Sequence, residues 1–392
     1  MKEVFIVAAN RTPIGGFGGQ LSNYSATELG AIALKKTIHQ ANTDASNIDS
    51  VYMGNVLSAN LGQSPSRQAS KYAGIPNETD CTTINKVCSS GLKAVSIAAQ
   101  QIQLGMEHLV IAGGMESMSN TPHYINLRKT TKLGHEQITD GLLKDGLTDV
   151  YHNIHMGNAA ERCVTKYKIT REQQDEFALA SYEKATWATN NGKFKNEIIP
   201  ISVKTKHNET VITGDEDIFK IIPDKVSKLK PVFVESGTIT AANASNINDG
   251  AAALLLASRE AIEKYQLKPL AKIVAYADAS QAPEWFTTSP TVAINKTLNQ
   301  AKLSINDIDY FEINEAYAAV VIANQQILNI PTAKTNVYGG AVAMGHPLGA
   351  SGARILCTLV SVLNQEGGSY GVAAICNGGG GATAMIIQNL IK

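Results

Sequence analysis

The chain has 392 residues, 44% of them hydrophobic and 17% charged, with 34 basic side chains against 34 acidic ones. This is a globular composition with room for two or three packed domains. A balanced charge offers no field for nucleic acid or an anionic membrane surface, and no run reaches the ~18 apolar residues of a membrane span.

Five cysteines occur: Cys81, Cys88, Cys163, Cys357 and Cys376. The number is odd and no CxxC pair is present, which argues against a disulfide framework or a zinc site. Free thiols point to a reducing compartment. The opening MKEVFIVAANRTPIGG is too short and polar for a signal peptide and is not an Arg-rich presequence. The closing QNLIK carries no peroxisomal address. Cytoplasm is the expected location, with the mitochondrial matrix after presequence removal as the alternative.

In chain order, KEVFIVAANRTPIG reads as a buried strand and turn, and TELGAIALKKTIHQA (27–41) as an amphipathic helix. SNIDSVYMGNVLSA (46–59) is a polar turn and short strand. TTINKVCSSGLKAVSIAAQQI (82–102) is a strand, a small-residue loop and a helix; HLVIAGGMES (108–117) is a buried strand. Residues 119–243 then bring a polar stretch, a helix over TREQQDEFALASYEKATWATNNG with Thr170 as N-cap, and a Lys-rich segment. The Lys204–Lys230 run reads mostly as a solvated basic face. The first pattern then recurs. PLAKIVAYADAS matches the first strand, SINDIDYFEINEAYAA (304–319) the second, TNVYGGAVAMGHPLGASGARIL (335–356) the strand–loop–helix, and GVAAICNGGGGATAMII (371–387) the buried strand. Four matches in one order predict two similar α/β halves. Continuously apolar strands such as HLVIAGG suit sheets covered on both faces. Residues 119–243 have no counterpart and read as an insertion forming a lid or loop domain.

Chemistry concentrates in the repeated loops. Cys88 precedes a helix N-terminus, where unpaired N–H groups and the dipole favour thiolate; on residue type alone a buried structural cysteine is the commoner outcome. His346 lies between glycines with Pro347 after it, where an imidazole can serve a thiol as base; a bland core or surface histidine is the other reading. Cys376 ends an apolar strand before four glycines whose N–H groups can face an oxyanion. A phosphate loop would need GKS or GKT, and no GxGxxG occurs either. Asn314 follows a strand and either aims its amide at a substrate or caps a helix. Cys88 and His346 occupy equivalent loops, so a pseudo-twofold would gather a nucleophile, a base and a second thiol.

NKVCSSGLKAV, NEAYA, GGAVAMGHPLGASGAR and CNGGGGA together resemble the nucleophile, asparagine, histidine and second-cysteine motifs of the thiolase family, over the whole chain. The resemblance implies an α/β duplicated fold, with helices packed between and around mixed sheets and an inserted loop domain. It implies a first half at 1–118 and 244–268, an insertion at 119–243 for coenzyme A and oligomer contacts, and a second half at 269–392. It implies acyl transfer through Cys88, activated by His346. Cys376 would be the acid/base at the α-carbon, with oxyanion holes from Asn314 (through a water) with His346, and from the N–H groups of Cys88 and Gly378. GASGAR and the pair His155-Met156 look like the short-chain acetoacetyl-CoA type, closest to fungal cytosolic and animal mitochondrial members. TAANASNINDGAAA resembles the coenzyme A loop, placing Ser245 near the pantetheine.

Lys220 stands where relatives often carry an arginine against coenzyme A, with Lys225 to assist; Phe286 is followed by Thr287, not by the proline of relatives taking 2-methyl-branched substrates. Tyr182, Ala241, Ala242, Ala244 and Val342 match a potassium site of some members. No cofactor is required on this reading; coenzyme A is substrate and product, and potassium an activator. The expected assembly is a homotetramer, a dimer of dimers. The nearest rivals are a 3-ketoacyl-CoA thiolase of fatty-acid degradation and the ketoacyl and HMG-CoA synthases, against which NEAYA and the second cysteine speak. A non-catalytic acyl-CoA-binding relative would be expected to lack one of the three catalytic side chains. A cysteine hydrolase has no use for a second thiol.

Overall fold

The computed structural model describes residues 2–128, 133–204 and 209–391. Lys129–Lys132 of the predicted polar stretch and Thr205–Asn208 of the Lys-rich run lie outside the described residues.

Nine strands carry the architecture: β1 Val4–Arg11, β2 Ser50–Gly54, β3 Asp80–Ile84, β4 Leu109–Ser117, β5 Asn248–Ala257, β6 Ala271–Ser280, β7 Tyr310–Ile313, β8 Tyr370–Asn377 and β9 Gly381–Asn389. They hydrogen-bond in the order β7-β8-β9-β6-β1-β5-β4-β2-β3, and Gly15–Gly16 adds a short pair on β5. β2 runs parallel to β3 and β4, and β7 parallel to β8; the other neighbours are antiparallel. The order reads outward from the β1–β6 seam as β1-β5-β4-β2-β3 on one side and β6-β9-β8-β7 on the other, where the strand expected from Thr335 is reduced to a single bridge with Phe311. The seam itself is short, pairing Val4–Ile6 with Ala271–Ile273.

The duplication extends to single hydrogen bonds. Asp49 before β2 accepts from the N–H groups of His108 and Leu109 at 2.6 and 2.9 Å. Asp309, before β7, accepts from Ser369 and Tyr370 at 2.6 and 3.0 Å. The halves differ between their last two strands. In the second half, β8 turns into β9 through Gly379 and Gly380, both at φ +83°, a conformation that costs a glycine little. In the first half, the whole segment from Met118 to Ile247 stands between β4 and β5.

Helices α1 Ala26–Gln40, α2 Ser90–Leu104, α3 Met156–Tyr167, α4 Arg171–Asn190, α5 Ser289–Ala301, α6 Ala318–Leu328 and α7 Leu348–Glu366 complete the layers. α1 begins in a capping box of Ser25 with Glu28, and α4 in one of Thr170 with Gln173. α2 and α7, equivalent in the repeat, share one core with the inner faces of both strand sets, including Ile6, Leu254, Ile375 and Met385. They cross through glycine: a Cβ on Gly91 would lie 2.8 Å from the Ala353 nitrogen, and one on Gly352 2.4 Å from the Leu92 nitrogen. The outer faces pack against α1 in the first half and α5 in the second. The result is helix, sheet, helices, sheet, helix, with α2 and α7 N-termini brought to one place. No described helix is long and apolar enough to cross a membrane.

Candidate active site

Cys88 sits on the turn from β3 into α2, held by a strained neighbour. Val87 has φ +48°, a left-handed conformation that a β-branched residue seldom adopts. The turn is clamped: Lys86 N–H donates to Ser90 Oγ at 2.8 Å, and Ser90 Oγ donates back to the Val87 carbonyl at 2.6 Å. Strain on a strand-to-helix turn that presents a nucleophile is a recurrent device. The backbone N–H groups of Gly378 and of Cys88 itself lie near enough to the Cys88 sulfur to favour its thiolate. Two donors from opposite halves thus meet at one point.

A helix N-terminus favours thiolate, but here desolvation outweighs it. α2 starts two residues beyond Cys88, and the N-cap hydroxyl of Ser89 is spent across the pseudo-twofold on the Ile375 carbonyl and Asn377 Oδ1. Desolvation pushes the Cys88 thiol up to about 12, against the pull of the two N–H groups, and the Glu116 carboxylate adds to the rise. Cys376 is 1% exposed and is held well above the usual thiol range by burial and by the neighbouring Cys88.

His346 is also buried, and burial, with Arg354, depresses its imidazole to about 3. The resting pair is therefore neutral thiol and neutral imidazole. His346 Nδ1 is 2.6 Å from Ser351 Oγ, and its backbone N–H donates to Asn248 Oδ1 at 3.0 Å. Asn314, at the end of β7, has Nδ2 3.5 Å from both ring nitrogens, so the amide lies across the imidazole and in line with neither lone pair. Its Oδ1 is buried without a partner among the described residues.

These groups lie in or behind one cavity of about 780 Å³. Cys88, His346 and Gly378 line it, with His155, Met156 and Phe286 from the acyl-pocket prediction. Lys220, Lys225, Ser245, Tyr182, Ala241, Ala242 and Ala244 line it too. Cys376 and Asn314 are not on its surface; Cys376 packs in a cluster with Met156, Phe286 and Tyr317. Val342 is buried in the short helix Ala341–Met344, its N–H donating to Glu315 Oε2 at 3.0 Å. Lys220 already pairs with Asp217 at 2.7 Å and Glu216 at 3.0 Å. Ser245 Oγ donates to the Ala316 carbonyl at 3.0 Å, which pins its loop to the NEAYA turn.

The predicted potassium set can be tested on its donors. No described N–H or O–H donates to the carbonyls of Ala241, Ala242 or Ala244. Tyr182 stands beside Asn246 and feels the negative charges of Asp217 and Glu315. Free carbonyls near acidic groups suit a hard monovalent cation. Among the described residues no cluster of three His, Cys, Asp or Glu could hold a metal ion.

Several site residues were not foreseen from sequence. Glu116, at the end of β4, accepts four N–H donors: Asn55 Nδ2 at 2.8 Å, Val56 and Leu57 at 3.1 Å, and Gly349 at 2.8 Å. Burial pushes its carboxyl up to about 7 against those donors. A charge ending an otherwise apolar strand was the available signal. Phe233 stacks on His155 at 4.7 Å and meets Tyr317 edge-on at 6.0 Å, forming an aromatic wall; nothing in KPVFVESG marks it.

Two family profiles match the chain: "Thiolase, N-terminal domain" over residues 4–260 and "Thiolase, C-terminal domain" over residues 267–389. The chain belongs to the thiolase family. It is thereby an acyltransferase with the α/β thiolase fold. Among curated relatives of this thiolase is acetyl-CoA acetyltransferase 2 of Arabidopsis thaliana, 52% identical, with 99% of this chain and 98% of that protein covered. The acetyl-CoA acetyltransferase of Schizosaccharomyces pombe is 48% identical over 99% of each chain. The crystal structure of Acat5 thiolase from Ascaris suum in complex with coenzyme A superposes with a TM-score of 0.95 at 46% identity, covering 99% of this thiolase and 100% of that chain. Relatives also include a cytosolic and a mitochondrial acetyl-CoA acetyltransferase of Gibberella zeae.

Proposed function

We propose that this thiolase is an acetyl-CoA C-acetyltransferase, interconverting two acetyl-CoA with acetoacetyl-CoA and free coenzyme A through an acetyl-Cys88 intermediate. The observation that carries the reading is that Cys88, His346 and the Gly378 backbone line one cavity, with a second thiol, Cys376, packed behind its wall.

In the condensing direction His346 Nε2 takes the Cys88 proton as the sulfur attacks the thioester carbonyl. The tetrahedral oxyanion faces the N–H groups of Cys88 and Gly378, which become useful when charge develops there. The carbon–sulfur bond breaks, and the departing coenzyme A sulfur takes the Cys376 proton. The Cys376 thiolate then removes the α-proton of a second acetyl-CoA. Imidazolium at His346, with Asn314 acting through a water on Oδ1, holds the enolate oxygen. The enolate carbon attacks acetyl-Cys88, Cys88 leaves as thiolate, and His346 returns its proton. Protons balance over the cycle, and neither thiol is required to rest ionised, in keeping with the upward shift of both.

Met156, Phe286 and Tyr317 line the cavity and pack together with Cys376, bulk that favours short acyl chains over those of a degradative 3-ketoacyl-CoA thiolase. Lys220 and Lys225 would meet the anionic part of coenzyme A, and Tyr182 with the carbonyls of Ala241, Ala242, Ala244 and Val342 would hold potassium. The same reading makes the chain a cytoplasmic homotetramer at the first step of mevalonate synthesis; sedimentation tests the assembly.

The decisive experiment is acetoacetyl-CoA cleavage with free coenzyme A, wild type against Cys88→Ala, in potassium or sodium chloride. Cleavage lost in the variant and stimulated by potassium alone is the expected result. Folded wild type without cleavage overturns the acetoacetyl-CoA assignment.

A further inference from the structure

One fully buried amide joins three separate parts of the chain at the catalytic histidine. Asn248, the first residue of β5, is 0% exposed. Its Oδ1 accepts the His346 N–H at 3.0 Å; its Nδ2 donates to the Gly15 carbonyl at 3.0 Å and to Asp217 Oδ2 at 2.9 Å. Both Nδ2 protons are thus spent, and the side chain has no alternative pose that keeps its bonds. Gly345, at φ +107°, lies directly against this amide: a Cβ there would stand 2.3 Å from Asn248 Cγ. The histidine loop is therefore pressed onto Asn248 and bonded to it. Asn248 does not line the cavity, but Asp217 does, and Asp217 Oδ1 holds Lys220 Nζ at 2.7 Å. A continuous line runs from the ammonium of Lys220 through the Asp217 carboxylate and the Asn248 amide to the His346 backbone.

We propose that Asn248 is a positioning residue for His346 and that Asp217, at the cavity wall, fixes Asn248 in turn. The inference rests on His346 being the base of the reading above. Without the amide, the His346 backbone loses its acceptor and the flexible Gly345 hinge is free to move. A misplacement of about 1 Å at a reacting group can cost on the order of 100-fold in rate. Substrate binding does not depend on Asn248 directly, so the loss belongs in kcat.

The test compares Asn248→Ala, Asn248→Asp and the exchanged pair Asn248→Asp with Asp217→Asn. Each is assayed for acetoacetyl-CoA cleavage and, independently, for the rate of Cys88 alkylation by iodoacetamide at one pH, with His346→Ala as reference. Asn248→Ala should lower kcat at least tenfold, leave KM within about twofold, and slow alkylation as His346→Ala does. Asn248→Asp sets two carboxylates face to face and should lose as much; the exchange restores an N–H between positions 217 and 248, leaves the Gly15 carbonyl without its donor, and should recover part of it. Unchanged kcat and alkylation in folded Asn248→Ala would overturn the proposal. So would an exchanged pair no better than Asn248→Asp, a comparison that serves should the alanine variant not fold. Wild type inactive on acetoacetyl-CoA would strike the proposed function instead, and the alkylation rates would still decide the positioning.

Discussion

Ser351 Oγ stands 2.6 Å from His346 Nδ1 and donates its single proton to the Pro347 carbonyl at 2.8 Å. With that proton given to the carbonyl, the hydroxyl accepts from an Nδ1–H, the tautomer that leaves the lone pair on Nε2. A serine one turn into α7 thereby favours one tautomer of the proposed base. Ser351→Ala should lower kcat about tenfold with little change in KM, and Ser351→Thr should restore it; equal kcat in wild type and the alanine variant would show that the tautomer is set elsewhere.

The Val87 turn makes a stability prediction with an unusual order. Alanine is normally more stable than glycine in a structured segment. At φ +48° the order should reverse, with Val87→Gly more stable than Val87→Ala by about 1 kcal/mol in urea unfolding. The glycine variant should still lose activity, since Cys88 is then no longer pinned. A glycine variant less stable than the alanine one would mean that the turn stores no strain.

Protonation of His346 should show in stability against pH. Its folded value, depressed to about 3, lies below the 6.5 of an ordinary imidazole, so the unfolded chain binds the proton more readily. The stabilisation is full above pH 6.5 and is lost as pH falls toward the folded value. Between pH 7.5 and 5 wild type should lose roughly 2 kcal/mol more than His346→Gln. Parallel profiles would place the histidine in a solvated or ion-paired state.

Gly157 bears on the cavity wall. A Cβ there would lie 2.3–2.5 Å from ring atoms of Phe233. Gly157→Ala should displace Phe233 from its stack on His155 and raise KM for acetoacetyl-CoA about tenfold, with a smaller effect on kcat. An unchanged KM would remove Phe233 from the substrate wall.

Much was legible without coordinates. The repeated order of elements, Thr170 as a helix cap and the motifs around Cys88, Asn314, His346 and Cys376 are local in sequence, and local periodicity and residue type report them directly. Protonation and placement are different in kind. Thiolate at Cys88 was the natural reading of a helix N-terminus, yet the sign of its shift is set by desolvation, and desolvation depends on walls contributed by both halves and the segment between them. The bonds that hold the histidine loop, Asn248 to His346 across 98 residues and Glu116 to Gly349 across 233, join segments whose meeting is decided only by strand order. The sequence by itself picked out the side chains that the proposed chemistry uses. The tertiary structure alone decided how far burial shifts their protonation, what the imidazole is bonded to and the strain beside Cys88, because each is set by groups far away in the chain and near in space.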